Sequence, residues 1–274
     1  MRSIEQLREQ YEVERELADR LRNASSKERT ELYSQVYNEF FRRIPHHPQL
    51  TRPLDAAQTA LKVEEKMALL SKLLHAETVF LEIGAGDCRL SLDIARRVRK
   101  VYALEVSEEI TKSVAGPPNF ELVLSDGVNV PVPRGSVTLA YSYQVMEHIH
   151  PEDAVEQLGN IFRALAPGGK YVCITPNRLA GPHDISKHFD RTARGFHLKE
   201  YTVTELRGQF RAAGFQRTSI YPGVGGHFVT VSDRLARGLE GALQLLPFRL
   251  AHTLANAPLL RNLVLAAVVA QKKP

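Results

Sequence analysis

The spacing of apolar positions divides the chain into a helical N-terminal part and a longer mixed part. In the first part, apolar residues recur at helical intervals, which predicts three amphipathic helices over 3–23, 25–44 and 55–75. The first helix carries only a narrow apolar stripe, so we expect it to pack weakly or to lie across the main domain. Asp55, at the start of the third helix, is the predicted N-cap.

Short apolar runs alternate with helical patterns in the rest of the chain. Strands that are apolar at nearly every position and separated by helices are typical of a parallel sheet covered on both faces. We therefore predict a doubly wound α/β domain over 55–274, with a helical insert at 231–260, after an N-terminal helical extension or lid over 1–54. The predicted strands are 78–83, 100–106, 120–124, 137–143, 170–175, 215–222 and 262–273. The predicted helices between them are 88–98, 107–114, 152–165 and 203–214.

Composition narrows the classes of function. The hydrophobic share of 43% and the charged share of 24% are those of an ordinary globular protein. The net charge is +5, but Lys and Arg are interleaved with Asp and Glu, so no nucleic-acid partner is expected. Cys88 and Cys173 lack a metal-binding spacing, and the apolar run at 263–270 is too short to cross a bilayer. These features favour a cytoplasmic protein.

A turn with two glycines, Glu82-Ile-Gly84-Ala-Gly86-Asp87, follows the first predicted strand of the sheet. In doubly wound sheets, ligands bind beyond the carboxyl ends of the strands, and glycine lets a ligand approach the backbone. Glu105 lies 19 residues after Gly86, at the end of the second predicted strand. A carboxylate at this distance binds the diol of a ribose in such folds, so we predict a ligand that contains a ribose.

Two features of this turn separate the candidate ligands. A dinucleotide fingerprint has a third glycine three positions after the second, where this chain has Arg89. Glu82 would repel a pyrophosphate but could attract the ammonium group of a bound amino acid. The turn therefore favours a zwitterionic ligand without phosphate, and an oxidoreductase that uses NAD(P) stays open as an alternative.

Several motifs, in the right order, resemble those of the class I S-adenosylmethionine-dependent methyltransferases. The resemblance covers about 55–222 and is closest to the small-molecule group in which the fourth strand leads into a Glu-His pair, here Glu147-His148. The chain departs from the family at Cys88, where a third glycine is usual. The motifs are EIGAGD at 82–87, Glu105, SDG at 125–127, SYQVMEHIHPED at 142–153, FRALAPGGKYVCITPNR at 162–178 and RAAGF at 211–215.

The resemblance implies a Rossmann-like seven-stranded sheet of order 3-2-1-4-5-7-6, with strand 7 antiparallel, and S-adenosylmethionine as the cofactor. It implies that Gly84, Gly86 and Asp87 line the methionine part of the cofactor. Glu105 would bind the ribose hydroxyls, and Asp126 would accept a hydrogen bond from the adenine amino group, with Gly127 behind the ring. The other expected cofactor-binding residues are Glu82, Val106, Ser142 and Tyr143.

The implied function is methyl transfer to a small-molecule acceptor, with oxygen as the favoured atom. Transfer from a sulfonium needs alignment, exclusion of water and a deprotonated nucleophile. His148, just past the fourth strand, is the best-placed candidate base, and Tyr143 at the strand tip is a second catalytic candidate. The alternative is that Glu147 and His148 brace the following helix.

Two further considerations bear on the reaction. The (Asn/Asp)-Pro-Pro-Tyr motif of enzymes that methylate the exocyclic amine of adenine or side-chain amides is absent at 142–145, which disfavours nucleobase and protein-glutamine acceptors. A protein that binds S-adenosylmethionine as a regulatory subunit, without transferring methyl, is the third hypothesis.

A long polar loop at 175–202 follows the fifth predicted strand, and loops of this length in compact domains are usually functional. We expect His183, Asp184, His197 and Glu200 to recognise the acceptor, and the alternative is that their hydrogen bonds rigidify the loop. Their spacings fit no zinc motif, so no metal is expected.

Two helical segments are candidates for covering the site. The aromatic helix at 29–43 would bring Tyr33 or Tyr37 near the cofactor, with Tyr37 assigned to the substrate side. The amphipathic insert at 231–260 would close an apolar substrate pocket. Peripheral contact of this insert with an anionic membrane surface is the alternative.

Overall fold

The computed structural model describes residues 2–51, 56–221, 223–224, 227–228, 231–258, 260–261 and 267–273. Seven strands form the central sheet: β1 (Val79–Ile83), β2 (Lys100–Glu105), β3 (Phe120–Leu124), β4 (Val137–Tyr143), β5 (Leu165–Ile174), β6 (Arg217–Tyr221) and β7 (Ala267–Gln271). A short hairpin pairs Gly223–Val224 with His227–Phe228. The predicted N-cap Asp55, the predicted boundary at 54/55 and the start of the last strand at 262–266 lie outside the described residues.

Ten helices are described, with two 3₁₀ turns at Met146–His148 and Ile185–His188. The helices are α1 (Ile4–Asn23), α2 (Ser26–Arg43), α3 (Pro48–Thr51), α4 (Ala56–Leu70), α5 (Arg89–Ala95), α6 (Glu108–Thr111), α7 (Pro151–Ala164), α8 (Val203–Ala212), α9 (Asp233–Gln244) and α10 (Phe248–Ala255). None of these described helices is long and apolar enough to span a bilayer.

The sheet has the order β3-β2-β1-β4-β5-β7-β6. Neighbouring strands from β3 to β5 run parallel, and β7 is antiparallel to both β5 and β6. Ile83 at the end of β1 lies opposite Leu104 and Ser142, so β1, β2 and β4 end at the same edge of the sheet. The predicted Rossmann-like α/β fold and strand order are confirmed.

Apolar side chains cover both faces of this sheet, as a parallel sheet requires. β1 is buried at every position. Phe80 packs in a cluster with Leu70 of α4 and Ile94 of α5 on one face. Leu81 belongs to the cluster on the other face, which also contains Tyr33 of α2. The N-terminal helices thus share a core with the sheet.

The expectation that the first helix packs weakly is wrong. Leu17, Ala18 and Leu21 of α1 are fully buried, and α1 packs on α2 and on the 3₁₀ turn at Ile185–His188. The apolar stripe is narrow, but the helix also buries Gln10 and Glu14, which hydrogen-bond each other at 2.6 Å. A buried polar pair of this kind is indistinguishable from a surface pair in a hydrophobicity pattern.

The insert at 231–260 forms two helices, α9 and α10, that pack on the rest of the domain. Leu243 and Ala255 form a small apolar cluster with Ala180 of the loop after β5. Glu240 is buried and accepts hydrogen bonds from the first two backbone N–H groups of α8, those of Val203 (2.6 Å) and Thr204 (3.0 Å). The insert therefore holds the long polar loop against α8.

Candidate functional site

A cleft of about 970 Å³ opens at the carboxyl edge of β1, β2, β4 and β5, with part of α2 forming one wall. This volume is at the upper end of ligand pockets, which are about 300–1,000 Å³. The predicted site residues that line it are Glu82, Gly84, Gly86, Asp87, Glu105, Val106, Gly127, Tyr143, His148, His183 and Tyr37. The predicted residues that lie outside the lining are Asp126, Ser142, Asp184, His197 and Glu200.

The turn after β1 needs left-handed backbone at three positions. Gly84, Gly86 and Cys88 have φ values of +69°, +56° and +58°. Only glycine adopts this region without cost, and for other residues the cost is about 1–2 kcal/mol. Cys88, fully buried at the start of α5, therefore keeps the conformation that a third glycine would have.

The two glycines of this turn meet different surroundings. A Cβ atom on Gly84 would overlap Cγ2 of Val145, whereas one on Gly86 would have no heavy atom within 4 Å. Because Gly86 lines the cleft, its Cβ would enter the space that a ligand would fill.

Alanine at these two positions should therefore have separable effects. Both substitutions carry the left-handed penalty of about 1–2 kcal/mol, and Gly84→Ala adds an overpacking cost of about 1–3 kcal/mol. We expect Gly84→Ala to lower the free energy of unfolding in urea more than Gly86→Ala does. Gly86→Ala should have the larger effect on cofactor affinity, measured by calorimetry on folded protein. Equal losses of stability would contradict the contact with Val145.

Glu105 joins the ends of β1 and β2. Its carboxylate accepts hydrogen bonds from the backbone N–H groups of Gly86 (2.7 Å), Val106 (2.9 Å) and Ser107 (3.1 Å). Burial nevertheless raises the pKa of this carboxyl above its ordinary value. Two carboxylate oxygens offer about four acceptor sites, so one remains for a group in the cleft.

Glu82 is also buried beside the cleft. Its Oε2 accepts a hydrogen bond from the hydroxyl of Ser91 at 2.6 Å. Burial raises the pKa of Glu82 to about 7, although the positive charge of Lys66 opposes this rise. A cationic ligand at this end of the cleft would favour the ionised form.

Asp126 and Ser142, both predicted to bind the cofactor, lie outside the lining of the cleft. The carboxylate of Asp126 stabilises its own turn, since it accepts hydrogen bonds from the backbone N–H groups of Val128 (2.9 Å) and Asn129 (2.6 Å). Ser142 is fully buried, and its hydroxyl is hydrogen-bonded to the hydroxyl of Tyr171 at 2.7 Å. In turns, an aspartate side chain often accepts a hydrogen bond from the backbone N–H two residues later. This local preference determines the orientation of the Asp126 carboxylate.

The wall of the cleft around Gly127 depends on Gln157, which no motif singled out, and on Tyr33, which the aromatic helix at 29–43 was predicted to bring near the cofactor. Gln157 of α7 donates to the carbonyl of Gly127 at 2.6 Å and lines the cleft. The ring of Tyr33 lies against Gly127, so that a Cβ there would be 3.0 Å from it. Gln157 lies in α7, after the HPED segment, and no signal in the sequence marks it as a residue of the cleft wall.

His148 lines the cleft and is half-buried. Its Nδ1 is 3.1 Å from the carbonyl oxygen of Phe196. A carbonyl only accepts, so Nδ1 carries the proton and Nε2 carries a lone pair. Burial lowers the pKa of His148 to about 3, which keeps the ring neutral near pH 7.

Most of the predicted site residues in the loop after β5 lie behind the cleft wall and form hydrogen bonds within the loop. Glu200 accepts hydrogen bonds from His183, at its backbone N–H (2.7 Å), and from Nδ1 of His197 (2.7 Å). Asp184 accepts from the backbone N–H groups of Ser186 (3.0 Å) and Gly195 (2.9 Å). Three of the four predicted acceptor-binding residues therefore rigidify the loop, and His183 alone of the four reaches the wall.

Tyr37 and Tyr143 line the cleft from different elements. The hydroxyl of Tyr37 is buried and has no hydrogen-bond partner among the described residues, and burial raises its pKa well above 10. Tyr143 at the tip of β4 is 39% exposed, and Nζ of Lys66 lies 4.8 Å from its ring centre.

Glu147, the residue before His148, is fully buried beneath the cleft. Its Oε2 accepts a hydrogen bond from the hydroxyl of Thr175 at 2.8 Å, while its Oε1 has no partner among the described residues. Burial raises the pKa of this carboxyl to about 7, although His197 nearby opposes the rise. No pattern in the sequence singled out Glu147 as a separate functional residue.

Comparison with known proteins gives a consistent result. Residues 81–173 match a family model described as a methyltransferase domain. A relative from Mycolicibacterium smegmatis, named a probable S-adenosylmethionine-dependent methyltransferase, is 31% identical over 140 residues, which are 50% of this chain and 51% of that protein. The chain spans about half the length of the curated relatives it matches. Residues 81–173 are thus similar to a methyltransferase domain.

Two solved structures share the fold at low sequence identity. One is an S-adenosylmethionine-dependent methyltransferase from Thermotoga maritima, with a TM-score of 0.52 and 15% identity over 90% of this chain and 100% of that chain. The other is phosphoethanolamine N-methyltransferase 1 of Haemonchus contortus, with a TM-score of 0.57 and 14% identity over 92% of this chain and 50% of that chain.

Proposed function

We propose that this protein transfers a methyl group from S-adenosylmethionine to a hydroxyl oxygen of a small molecule. The methyltransferase domain and the relatives named for their S-adenosylmethionine dependence support the reaction and the cofactor. The choice of oxygen rests on one observation: the neutral His148 lines the cleft, and no described residue is hydrogen-bonded to the lone pair on its Nε2. A neutral amine acceptor already has a nucleophilic lone pair, so it would not need a residue that activates it.

The cofactor is proposed to lie along the carboxyl ends of β1 and β2. Gly84, Gly86 and Asp87 would line its methionine part, and Glu82 would face its ammonium group. The free acceptor site of Glu105 would bind the ribose hydroxyls. The adenine would lie near Gly127 and Tyr33, which are packed together on the wall of the cleft.

The reaction is an in-line displacement. The acceptor oxygen forms a bond to the methyl carbon while the carbon–sulfur bond breaks, and its electron pair stays on the sulfur of S-adenosylhomocysteine. The hydroxyl proton passes to solvent in the cleft, either directly or through the lone pair on Nε2 of His148. Positioning and exclusion of water supply most of the rate increase in such transfers, and activation of the acceptor oxygen supplies the rest.

A small acceptor fits the shape of the cleft better than a macromolecule. Tyr37 and Phe41 of α2 and His183 of the loop after β5 all contribute to the wall of the cleft. Within about 970 Å³, the cofactor leaves room for a ligand of modest size. The proposed acceptor position is between His148 and Tyr143.

Replacement of His148 by alanine tests this proposal. We expect turnover to fall about 10²–10⁴-fold, which is the usual contribution of a group that activates a hydroxyl. The affinity for S-adenosylmethionine should change less than about twofold, because His148 is on the acceptor side. Transfer of labelled methyl from the cofactor into metabolites of a cell extract gives the turnover, and calorimetry gives the affinity.

His150→Ala is the matched control, because His150 lies outside the cleft lining and its side chain accepts from the backbone N–H of Glu152 at the start of α7. It should keep turnover. Unchanged turnover in His148→Ala would assign His148 to bracing the structure. Tighter binding of NAD than of S-adenosylmethionine would reject the proposed reaction, and tight cofactor binding without any labelled product would favour a regulatory protein.

A further inference from the structure

We infer that Glu147, His148 and His197 bind a divalent transition-metal ion beside the proposed acceptor position. The inference rests on the proposed function and specifies how the acceptor oxygen is activated. One ligand atom from each residue lies within 4.8 Å of the other two. Among the described residues, this is the group of side chains that meets the geometric requirement for holding an ion.

Hydrogen bonds at Nδ1 leave Nε2 of both imidazoles available to a metal ion. Nδ1 of His148 is bonded to the carbonyl oxygen of Phe196 at 3.1 Å, and Nδ1 of His197 is bonded to Oε1 of Glu200 at 2.7 Å. Each bond directs a protonated Nδ1 to an acceptor and leaves Nε2 for another partner. Metal-binding histidines characteristically donate their second N–H to a carboxylate or a backbone carbonyl in this way.

The carboxylate of Glu147 gives a second, independent indication that a binding partner is missing. Glu147 is fully buried, its Oε2 is occupied by Thr175 at 2.8 Å, and its Oε1 has no hydrogen-bond partner among the described residues. A buried carboxylate oxygen without a partner is costly, since native proteins pair such atoms almost without exception. A metal ion would provide this partner.

A hydrogen bond from His197 does not provide the missing partner for Oε1 of Glu147 in the observed geometry. Oε1 of Glu147 and Nε2 of His197 are 3.9 Å apart, beyond the range of a hydrogen bond. Two ligands at about 2.1 Å from a tetrahedral ion are about 3.4 Å apart. Side-chain rotations that shorten the present separations of up to 4.8 Å would therefore bring the three ligand atoms onto a common ion, and Nε2 of both histidines would then be unprotonated.

The donor set indicates the class of ion and its use. Two imidazoles and a carboxylate bind first-row divalent ions such as Zn²⁺, Mn²⁺ or Fe²⁺ and leave a coordination position open. His148 lines the cleft, so this open position would face the acceptor. An ion there would bind the acceptor oxygen and lower the pKa of its hydroxyl, whose proton would pass to solvent in the cleft.

Titration with Co²⁺ of the full chain, first freed of metals by a chelator, tests the inference. We expect one Co²⁺ per chain with a visible absorption spectrum of low-coordinate cobalt, and displacement of Co²⁺ by Zn²⁺. His197→Ala and Glu147→Gln should weaken Co²⁺ binding at least about tenfold. Glu147→Gln keeps the side-chain volume, so it remains informative if His197→Ala fails to fold. His188→Ala, at an exposed histidine of the same loop, should leave Co²⁺ binding unchanged.

The outcomes separate this inference from the proposed function. Calorimetry with S-adenosylmethionine on each variant confirms that the cofactor side is folded. If the protein binds S-adenosylmethionine but takes up no Co²⁺, or if Co²⁺ binding persists in His197→Ala and Glu147→Gln, the metal site is rejected and the methyl transfer stands. If Co²⁺ binds as expected but no loaded form transfers methyl, the metal site stands and the proposed reaction fails.

Discussion

Replacement of Asp153 by alanine is expected to lower the free energy of unfolding by about 3–5 kcal/mol, because it leaves a buried charge without its partner. Asp153 and Arg29 are 0% and 1% exposed, and Nε of Arg29 lies 2.7 Å from Oδ2 of Asp153. Ser26 and Tyr33 donate two further hydrogen bonds to the same carboxylate. The pair ties α2 to the start of α7, so urea unfolding followed by circular dichroism measures its contribution directly.

Glu152→Ala is the matched control for this prediction. Glu152 also pairs with Arg29, at 2.6 Å, but its side chain is 69% exposed. Exposed ion pairs contribute about 0–1 kcal/mol, so the control should lose little stability. A loss in Asp153→Ala as small as in Glu152→Ala would contradict the structural role of the buried pair.

Asp153→Ala should also weaken cofactor binding. The hydroxyl of Tyr33 donates to Oδ2 of Asp153 at 2.9 Å and accepts from the backbone N–H of His150 at 2.8 Å. Loss of Asp153 would free the ring of Tyr33 that packs against Gly127 on the cleft wall.

The contribution of the pair depends on pH. Burial alone would raise the pKa of Asp153, but the hydrogen bonds from Arg29, Ser26 and Tyr33 outweigh it and lower the pKa below the ordinary value of 3.8. The stabilisation is therefore fully present above about pH 4 and is lost as the pH falls through the lowered pKa. Asp153→Asn should lose this part of the acid dependence.

Glu105→Ala is expected to reduce the affinity for S-adenosylmethionine at least about 100-fold. Each hydrogen bond to a charged group contributes about 1.5–3 kcal/mol, and the substitution removes the proposed bond to the ribose together with the acceptor for three backbone N–H groups. The turn at Gly86 would lose the carboxylate that fixes it. Calorimetry with S-adenosylmethionine and with S-adenosylhomocysteine measures the effect.

Glu108→Ala provides the comparison for Glu105→Ala, since Glu108 is an exposed carboxylate only three residues further along the chain. Its cofactor affinity should equal that of the unaltered protein. Wild-type affinity in Glu105→Ala, with the fold intact by circular dichroism, would remove Glu105 from the cofactor site.

The strands were predictable where the apolar pattern and the turn residues agree. The predictions for β3 and β4 coincide with the observed bounds, and β1 differs by one residue. β5 begins at Leu165 rather than at residue 170, because Leu165 pairs with Val137 across a register shift. Such pairing depends on the neighbouring strand and has no signal in the local sequence.

The site was predictable where it depends on the ends of strands. Gly84, Gly86 and Glu105 lie together because parallel strands end at one edge, and their spacing in the sequence carries this information. The approach of His197 to Glu147 and the pairing of Arg29 with Asp153 join residues 50 and 124 positions apart. Contacts of this range depend on how the loop and the N-terminal helices pack, which no short motif encodes.

The position of β7 inside the sheet has a consequence for synthesis of the protein. β7 pairs with both β5 and β6, although it is made after β6 and after the two helices of the insert. As the chain emerges from the ribosome, β6 has no strand to join until β7 follows, and one edge of β5 stays uncovered meanwhile. The sheet therefore closes late, and translation has passed the insert before the domain can complete its folding.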